Sequence, residues 1–253
     1  MTVIISFHQP NMIIMSADSK ETSTFNPDTS INDTFQPITD YHERMKIFPV
    51  ENVGCVSMWG DFTGIKKELD FATYLRENLN RIENVDELKI FVDKYLREDL
   101  RPHEGYGDVG FHIGGFMPSG ESRLYHIFYG PNRKKEPLLT PEDRIPQYRG
   151  HPLPIHQVLY NGRNELVEPL LEFLNQLQQH TQISIFENDP IKHMALANFL
   201  TRYISQFIED VGGDIYTFWI KPDNKPIGVT TIGNAVFPTN DLRKYLDDLK
   251  DKM

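Results

Sequence analysis

The sequence predicts an α+β fold in which antiparallel sheets are covered by helices. Segments of strand length, rich in β-branched or apolar residues, come first, and two helical segments follow them. The same order then repeats, and a last pair of strands ends the pattern. Strand groups separated by helix pairs do not fit a β-α-β alternation, so antiparallel sheets are expected. No repeat, low-complexity tract or linker divides residues 1–253, which we interpret as one domain.

The first sixty residues are expected to form two hairpins. Each hairpin has two β-branched or apolar runs of strand length. The first hairpin turns at Gln9-Pro10-Asn11. Between the hairpins, residues 22–40 are rich in Ser, Thr, Asn, Asp and Pro, which is typical of a loop. The four expected strands are residues 2–7, 12–17, 45–48 and 53–58.

Apolar residues recur at helical spacing in four later segments. Asn84, with Glu87 three residues later, resembles a capping box at the start of the second helix. Asp189 and Pro190 supply an N-cap and a first-turn proline for the fourth. The expected helices cover residues 65–79, 84–96, 166–177 and 189 to about 210.

Two further strand pairs complete the pattern. Pro118-Ser-Gly120 and Pro222-Asp-Asn-Lys225 supply their turns. The polar, proline-rich residues 130–154 are expected to be a loop, and a short charged helix is expected from Asn240. The strands of these pairs are residues 108–116, 123–129, 215–220 and 227–232.

Composition excludes several classes of function. The formal net charge of −10 and the pI near 5.4 disfavour a nucleic-acid or anionic-membrane partner, because these need a clustered basic face. No transmembrane or signal segment is evident. One cysteine, Cys55, predicts a buried strand thiol and a reducing cytoplasm. The histidines have no metal-site spacing, and no phosphate-binding or dinucleotide-binding motif is present, so we expect neither a metal nor a cofactor.

Thr2 is the first candidate for a catalytic residue. Methionine aminopeptidase removes Met1 before a small second residue, which would leave a hydroxyl and a free α-amine on Thr2. The amine could then accept the hydroxyl proton as general base. Acyl-transfer chemistry would therefore need no separate histidine.

Three segments between residues 12 and 61 carry a family resemblance. They are residues 12–20 (MIIMSADSK), 45–48 (MKIF) and 56–61 (VSMWGD). In sequence and spacing they resemble the catalytic framework of proteasome β-type subunits and of the bacterial HslV peptidase, which are N-terminal-nucleophile (Ntn) hydrolases. The resemblance implies a four-layer αββα sandwich, with two antiparallel sheets between layers of helices.

The resemblance also implies a role for each of four catalytic residues. Thr2 would be the nucleophile and, through its α-amine, the base, since an α-amine titrates near ~8. Lys46 would place an ammonium beside the nucleophile, and Asp18 would pair with Lys46 and keep it charged. The backbone N–H of Gly60, at the start of a helix, would point into an oxyanion hole.

Substrate contacts follow from the same resemblance. Lys20 matches a basic residue near the nucleophile, and Glu21 with Thr22 matches a strand that pairs with an extended peptide. Met58 matches the floor of the specificity pocket and would favour apolar side chains. Asp210 matches a supporting residue, although the serine that normally follows it is missing.

The chain departs from the family in other places. An insertion of roughly a dozen residues separates Lys20 from Lys46, relative to the family's spacing. The two serines that support the threonine amine have no clear counterpart, and residues 161–164 (NGRN) replace one of them.

The family implies a homo-oligomeric ring that takes peptides or unfolded proteins as substrates, with a possible ATP-dependent unfoldase as partner. Two alternatives stay open. One is a catalytically silent, proteasome-like assembly subunit, which the missing serines favour and the intact set of Thr2, Asp18, Lys46 and Gly60 disfavours. The other is an Ntn amidohydrolase that acts on a non-peptide amide by the same chemistry.

Overall fold

Two antiparallel sheets and three helices make up the part of the chain that the computed structural model describes, so the α+β class is confirmed. The strands are β1 (Ile4–Gln9), β2 (Met12–Asp18), β3 (Lys20–Glu21), β4 (His42–Glu43), β5 (Ile47–Val50), β6 (Gly54–Gly60), β7 (Val109–Phe116), β8 (Ser122–Pro131), β9 (Arg144–Pro146), β10 (Gln157–Asn161), β11 (Ile215–Ile220), β12 (Ile227–Ile232) and β13 (Ala235–Pro238). The helices are α1 (Val85–Lys94), α2 (Asn164–Thr181) and α3 (Pro190–Ser205).

The described residues are 3–21, 42–43, 46–60, 71, 75, 78, 81–95, 109–131, 144–146, 152–154, 157–161, 164–181, 189–207, 212–232 and 235–238. Most of the helix expected over residues 65–79 lies outside them, although Phe71, Leu75 and Asn78 have helical backbone. The loop expected over residues 22–40 and the C-terminal helix expected from Asn240 also lie outside them.

The first sheet has the strand order β10-β1-β2-β11-β12-β13, and all its pairs are antiparallel. The expected hairpin of β1 and β2 is present, with Ile4 opposite Ala17 and Gln9 opposite Met12. The second sheet has the order β5-β6-β7-β8-β9, and β3 pairs with β4 in a separate ribbon. The N-terminal hairpin therefore lies inside the first sheet, which explains why both its strands are buried along their whole length.

Three apolar clusters of the described residues connect these elements. Alternate residues of β1 face opposite sides, so Ile4 joins the cluster shared by the two sheets, whereas Ile5 joins the cluster under α2 and α3. A third cluster joins the second sheet to α1. Cys55 is buried between the sheets as predicted, and burial raises the pKa of its thiol above the usual range.

Both predicted helix caps are present. Asn84 Oδ1 accepts hydrogen bonds from the backbone N–H groups of Asp86 and Glu87, and Glu87 reaches back to accept from Glu83 N. Asp189 Oδ1 accepts from the first backbone N–H groups of α3 in the same way. These bonds satisfy helix N–H donors that otherwise lack a partner.

Several short strands were not expected from the sequence. The stretch over residues 130–154, expected to be a loop, contains β9, and β4, β10 and β13 were also missed. β9, β10 and β13 pair at the edges of sheets, where a strand is short or lacks a continuous apolar run. Pro49 was expected in a turn but lies within β5. Proline has no backbone N–H, and it is tolerated there because β5 is an edge strand with an unpaired side.

No described helix combines the length and the apolar character that a membrane crossing requires.

Two histidines lie close together between the sheets. His112 is fully buried, with Nδ1 2.9 Å from Ser6 Oγ and Nε2 2.6 Å from Asn161 Oδ1. The ring of His126 packs 5.2 Å from the ring of His112, and its Nε2 is buried without a hydrogen-bond partner among the described residues. Burial lowers the pKa of His126 to about 4, and burial, followed by repulsion from His126, lowers the pKa of His112. Both rings are therefore neutral in the folded protein near pH 7.

We expect acidification to destabilise the protein through His126. In the unfolded state His126 takes up a proton near pH ~6.5, whereas in the folded state it does so only near pH 4. The free energy of unfolding therefore has its full value above pH 6.5 and decreases as the pH falls from 6.5 to 4. Between about pH 7.5 and pH 5 the free energy of unfolding decreases by about 2 kcal/mol through His126. Urea unfolding of wild type and of His126→Phe at both pH values measures this decrease. Wild type should lose about 2 kcal/mol more than the variant, and an equal loss would contradict the assignment.

Candidate active site

Asp18 and Lys46 meet at one end of the two sheets. Asp18 is the last residue of β2 and is fully buried, and Lys46 immediately precedes β5. Lys46 Nζ lies 2.9 Å from Asp18 Oδ2, and the Lys46 side chain is 9% exposed. The ion pair that the family resemblance implied for these two side chains is therefore present.

The second carboxylate oxygen of Asp18 binds the backbone beside the predicted nucleophile. Asp18 Oδ1 accepts a hydrogen bond of 2.8 Å from the N–H of Val3, and the N–H of Asp18 donates to the Val3 carbonyl at 3.4 Å. Asp18 Oδ2 also accepts from the N–H of Gly212 at 3.3 Å. Thr2 itself lies outside the described residues. Asp18 thus connects Lys46 with the residue that follows Thr2 in the chain.

The environment of Asp18 is unusual for a residue that only supports the fold. Removing an ammonium and a carboxylate from water costs several kcal/mol per ion, and their attraction offsets this only when further hydrogen bonds complete the site. Asp18 has such bonds from Val3 and Gly212. An apolar pair of similar volume would serve packing as well or better, so Asp18 and Lys46 are candidates for a functional role.

The hairpin of β5 and β6 connects Lys46 with the two other predicted positions. The Lys46 carbonyl accepts a hydrogen bond of 2.9 Å from the N–H of Met58. Met58 is partly buried and packs against the cluster between the second sheet and α1. Gly60 ends β6 with a φ of 108°, which side-chain-bearing residues rarely adopt. The helix expected to start at Gly60 lies outside the described residues.

The remaining predicted site residues are only partly described. Lys20 and Glu21 form β3, where they pair with Glu43 and His42 of β4. Thr22 and Asp210 lie outside the described residues. The backbone at positions 20 and 21 is therefore extended, as peptide pairing by β-augmentation requires.

Sequence reasoning missed Ser19 at this site. Ser19 is fully buried, and its N–H donates to the Gly212 carbonyl at 3.2 Å. Its Oγ has no hydrogen-bond partner among the described residues. Ser19 lies between Asp18 and Lys20, so its position in the motif could have drawn attention to it. Gly212 belongs to the glycine pair after Asp210 that resembles the family, and it reaches Asp18 because β11 lies beside β2.

A cavity of about 390 Å³ lies near the other end of β1, away from Asp18. Its lining includes His8 and Ser122, and His8 Nε2 forms a hydrogen bond of 3.1 Å with Ser122 Oγ. His8 Nδ1 bonds the Pro154 carbonyl at 3.0 Å, so both ring nitrogens have partners within the protein. No group of three or more His, Cys, Asp or Glu side chains in the described part of the chain could hold a metal ion.

Comparison with models of protein families and with curated proteins finds no match to this chain. The resemblance to the Ntn hydrolases therefore depends on the motif residues themselves. Among the predicted catalytic residues that the structure describes, Asp18 and Lys46, which are 28 positions apart in the sequence, are joined through their side chains.

Proposed function

We propose that this protein is an N-terminal threonine peptidase of the proteasome and HslV type, which hydrolyses peptide bonds through Thr2 after Met1 is removed. One observation supports the proposal most strongly. The buried carboxylate of Asp18 binds both the ammonium of Lys46 and the backbone N–H of Val3. A positive charge is thereby held at the start of β1, where the nucleophile of such an enzyme would be.

Acylation begins with attack of the Thr2 Oγ on the carbonyl carbon of the peptide bond. The α-amine of Thr2 takes the hydroxyl proton, and the charge of Lys46 favours loss of that proton. The backbone N–H of Gly60 stabilises the oxyanion of the tetrahedral intermediate, and one such donor contributes roughly 3 kcal/mol. The intermediate collapses when the leaving amine receives the proton from the Thr2 ammonium, which leaves an ester on Thr2.

Deacylation repeats these steps with water. The α-amine takes a proton from water, the resulting hydroxide adds to the ester carbonyl, and the ester bond breaks. The proton returns to the Thr2 oxygen as the carboxylic acid product leaves. No cofactor or metal takes part in this scheme.

The three apolar clusters support a four-layer αββα sandwich of the Ntn type. One cluster joins the two sheets, and the other two join each sheet to helices on its outer side. The N-terminal strand β1 lies between β10 and β2 in this arrangement, and a catalytic N-terminus needs a rigid support of this kind.

A homo-oligomeric ring is part of the proposal, and an exposed face of α3 supports it. Large apolar side chains lie at multiples of four residues along α3 and the turn after it, and they are 37–65% exposed. These residues are Ile191, Phe199, Tyr203 and Phe207. Contact between subunits would cover them. Peptides or unfolded proteins would then enter an enclosed chamber, with an ATP-dependent unfoldase as a possible partner.

Hydrolysis of fluorogenic peptides by a chain that starts at Thr2 tests the proposal. We expect turnover by wild type, retained turnover by Thr2→Ser, which keeps a hydroxyl, and a loss of at least about 10³-fold in Thr2→Ala. Small acyl-amides are assayed in parallel. Cleavage of amides without peptides would favour the amidohydrolase alternative, and cleavage of neither would favour a silent assembly subunit.

A further inference from the structure

We infer that Ser122 and His8 form a second nucleophilic site, which accepts the acyl group of small uncharged esters. Both side chains line the cavity of about 390 Å³ near the end of β1. His8 lies five residues along β1 from Val3, and a strand rises about 3.3 Å per residue, so the two sites are roughly 16 Å apart. The second site does not use Thr2, and it is therefore independent of the proposed peptidase function.

The hydrogen bonds of His8 determine which ring nitrogen acts as the base. A carbonyl oxygen only accepts, so the contact of 3.0 Å with the Pro154 carbonyl requires that His8 Nδ1 carry a hydrogen and donate it. In the neutral ring Nε2 then has a lone pair, and it accepts from the Ser122 hydroxyl at 3.1 Å. A nucleophile, a base and a group that orients the base thus follow one another, which is the arrangement that activates a serine hydroxyl.

The three groups of this site are held by separate elements of the fold. His8 lies in β1, which is paired on both sides, and Ser122 begins β8, which pairs with β7. The N–H of Leu153 donates to the Leu124 carbonyl at 2.8 Å, and this bond ties the segment that contains Pro154 to β8. His8 is 1% exposed and Ser122 is 7% exposed. The base and the nucleophile are therefore fixed in position, as catalysis requires.

The cavity beside Ser122 indicates the class of substrate. Its volume lies at the small end of the range of about 300–1,000 Å³ that is usual for small-molecule sites. Pro10, Pro152 and Leu153 contribute apolar wall, which suits a short acyl chain. Glu121 also lines the cavity, and it pairs with Arg123 Nη2 at 2.9 Å. This pair is neutral overall, so the cavity suits an uncharged ester.

The reaction begins when Ser122 Oγ adds to the ester carbonyl carbon and gives its proton to His8 Nε2. The bond to the alcohol oxygen then breaks, and the alcohol leaves with the proton from His8. The acyl group stays on Ser122 as an ester. Water next gives a proton to His8 and adds to the acyl carbonyl. The bond to Ser122 Oγ breaks, Oγ takes the proton back, and a carboxylic acid leaves.

Labelling of the full-length Thr2→Ala chain, which lacks the proposed peptidase nucleophile, tests the inference. An alkyl fluorophosphonate phosphonylates activated serines, and peptide mass spectrometry locates the label. We expect one label per chain, on Ser122, and its loss in urea, where the site is unfolded. The matched control is Ser119→Ala, because Ser119 lies exposed in the turn before β8. This change should leave the labelling of Ser122 intact.

Two further measurements separate a reactive serine from one that only holds the fold together. His8→Gln removes the base, so labelling should slow by at least about 100-fold in chains whose melting curve shows a folded protein. Release of p-nitrophenolate from p-nitrophenyl acetate should disappear in Ser122→Ala and persist in Ser119→Ala.

The inference is overturned if Ser122 stays unlabelled in the folded chain, or if p-nitrophenolate release does not depend on it. Equal labelling rates in the folded chain and in urea would also overturn it, as would an unchanged rate in folded His8→Gln. If His8→Gln does not fold, the comparison with urea decides. None of these outcomes depends on labelling at Thr2, so the proposed peptidase function can fail while this site is confirmed.

Discussion

Replacing Asp18 by Asn is expected to lower the free energy of unfolding by about 3–5 kcal/mol and to abolish labelling of Thr2 by an epoxyketone. The substitution keeps the shape of the side chain but removes its charge, which leaves the Lys46 ammonium buried beside a neutral amide. Asp18 accepts from the N–H of Val3 with one oxygen and from Lys46 with the other. An asparagine side chain has a single acceptor oxygen, so one of these two donors would lose its acceptor. Urea unfolding and labelling rates measure the two effects.

Two controls locate the cause of this loss. Asp223 pairs with Lys221 at 3.5 Å on the surface, where water screens the charges, so Asp223→Asn should have little effect on stability. Adding Lys46→Met to Asp18→Asn removes the unpaired charge, so it should recover much of the stability while labelling stays absent. Equal losses from Asp18→Asn and Asp223→Asn would show that the buried pair has no special role.

Gly54→Ala is expected to destabilise the protein by roughly 3 kcal/mol or more. Gly54 begins β6 with a φ of 152°, and a Cβ there would lie 2.2 Å from the Gly114 carbonyl oxygen and 3.0 Å from the Gly115 Cα. Both atoms belong to the backbone of β7, so neither can move aside as a flexible side chain could. The second sheet would have to separate between β6 and β7, which a urea-unfolding midpoint would detect.

Gly120→Ala is the matched control for Gly54→Ala. Gly120 also has a positive φ, of 85°, but no atom lies within 4 Å of a Cβ built on it. Only the backbone conformation opposes alanine there, which should cost about 1 kcal/mol. If both variants lost the same stability, the close approach of β6 to β7 would not explain the effect.

The sequence predicts the interior strands and the helix starts well, because their signals are local. β1 and β2 are rich in β-branched or apolar residues and are joined by a turn, and Asn84 and Asp189 are capping residues directly before helices. The edge strands β9 and β13 were missed because β9 has three residues and β13 four, and edge pairing demands no apolar pattern. The closeness of Gly54 to Gly114 depends on the pairing of β6 with β7, which no local pattern reveals.

The candidate site divides in the same way. Asp18, Lys46 and Gly60 were predicted because their segments resemble a family motif, and the pairing of Asp18 with Lys46 was expected from that resemblance. The bond from Val3 N and the bond from Gly212 N to Asp18 arise from strand register and from β11 lying beside β2. These contacts join residues up to 194 positions apart, so a single sequence gives no sign of them.

Intact-protein mass spectrometry after incubation with a threonine-directed epoxyketone tests the central claim most directly. The proposed mechanism predicts a chain that has lost Met1 and gained the mass of one inhibitor, with the modification mapped to Thr2. Thr2→Ala should remain unmodified under the same conditions. A correctly trimmed wild-type chain that stays unmodified, or that is modified at another residue, would contradict the assignment of Thr2 as the nucleophile.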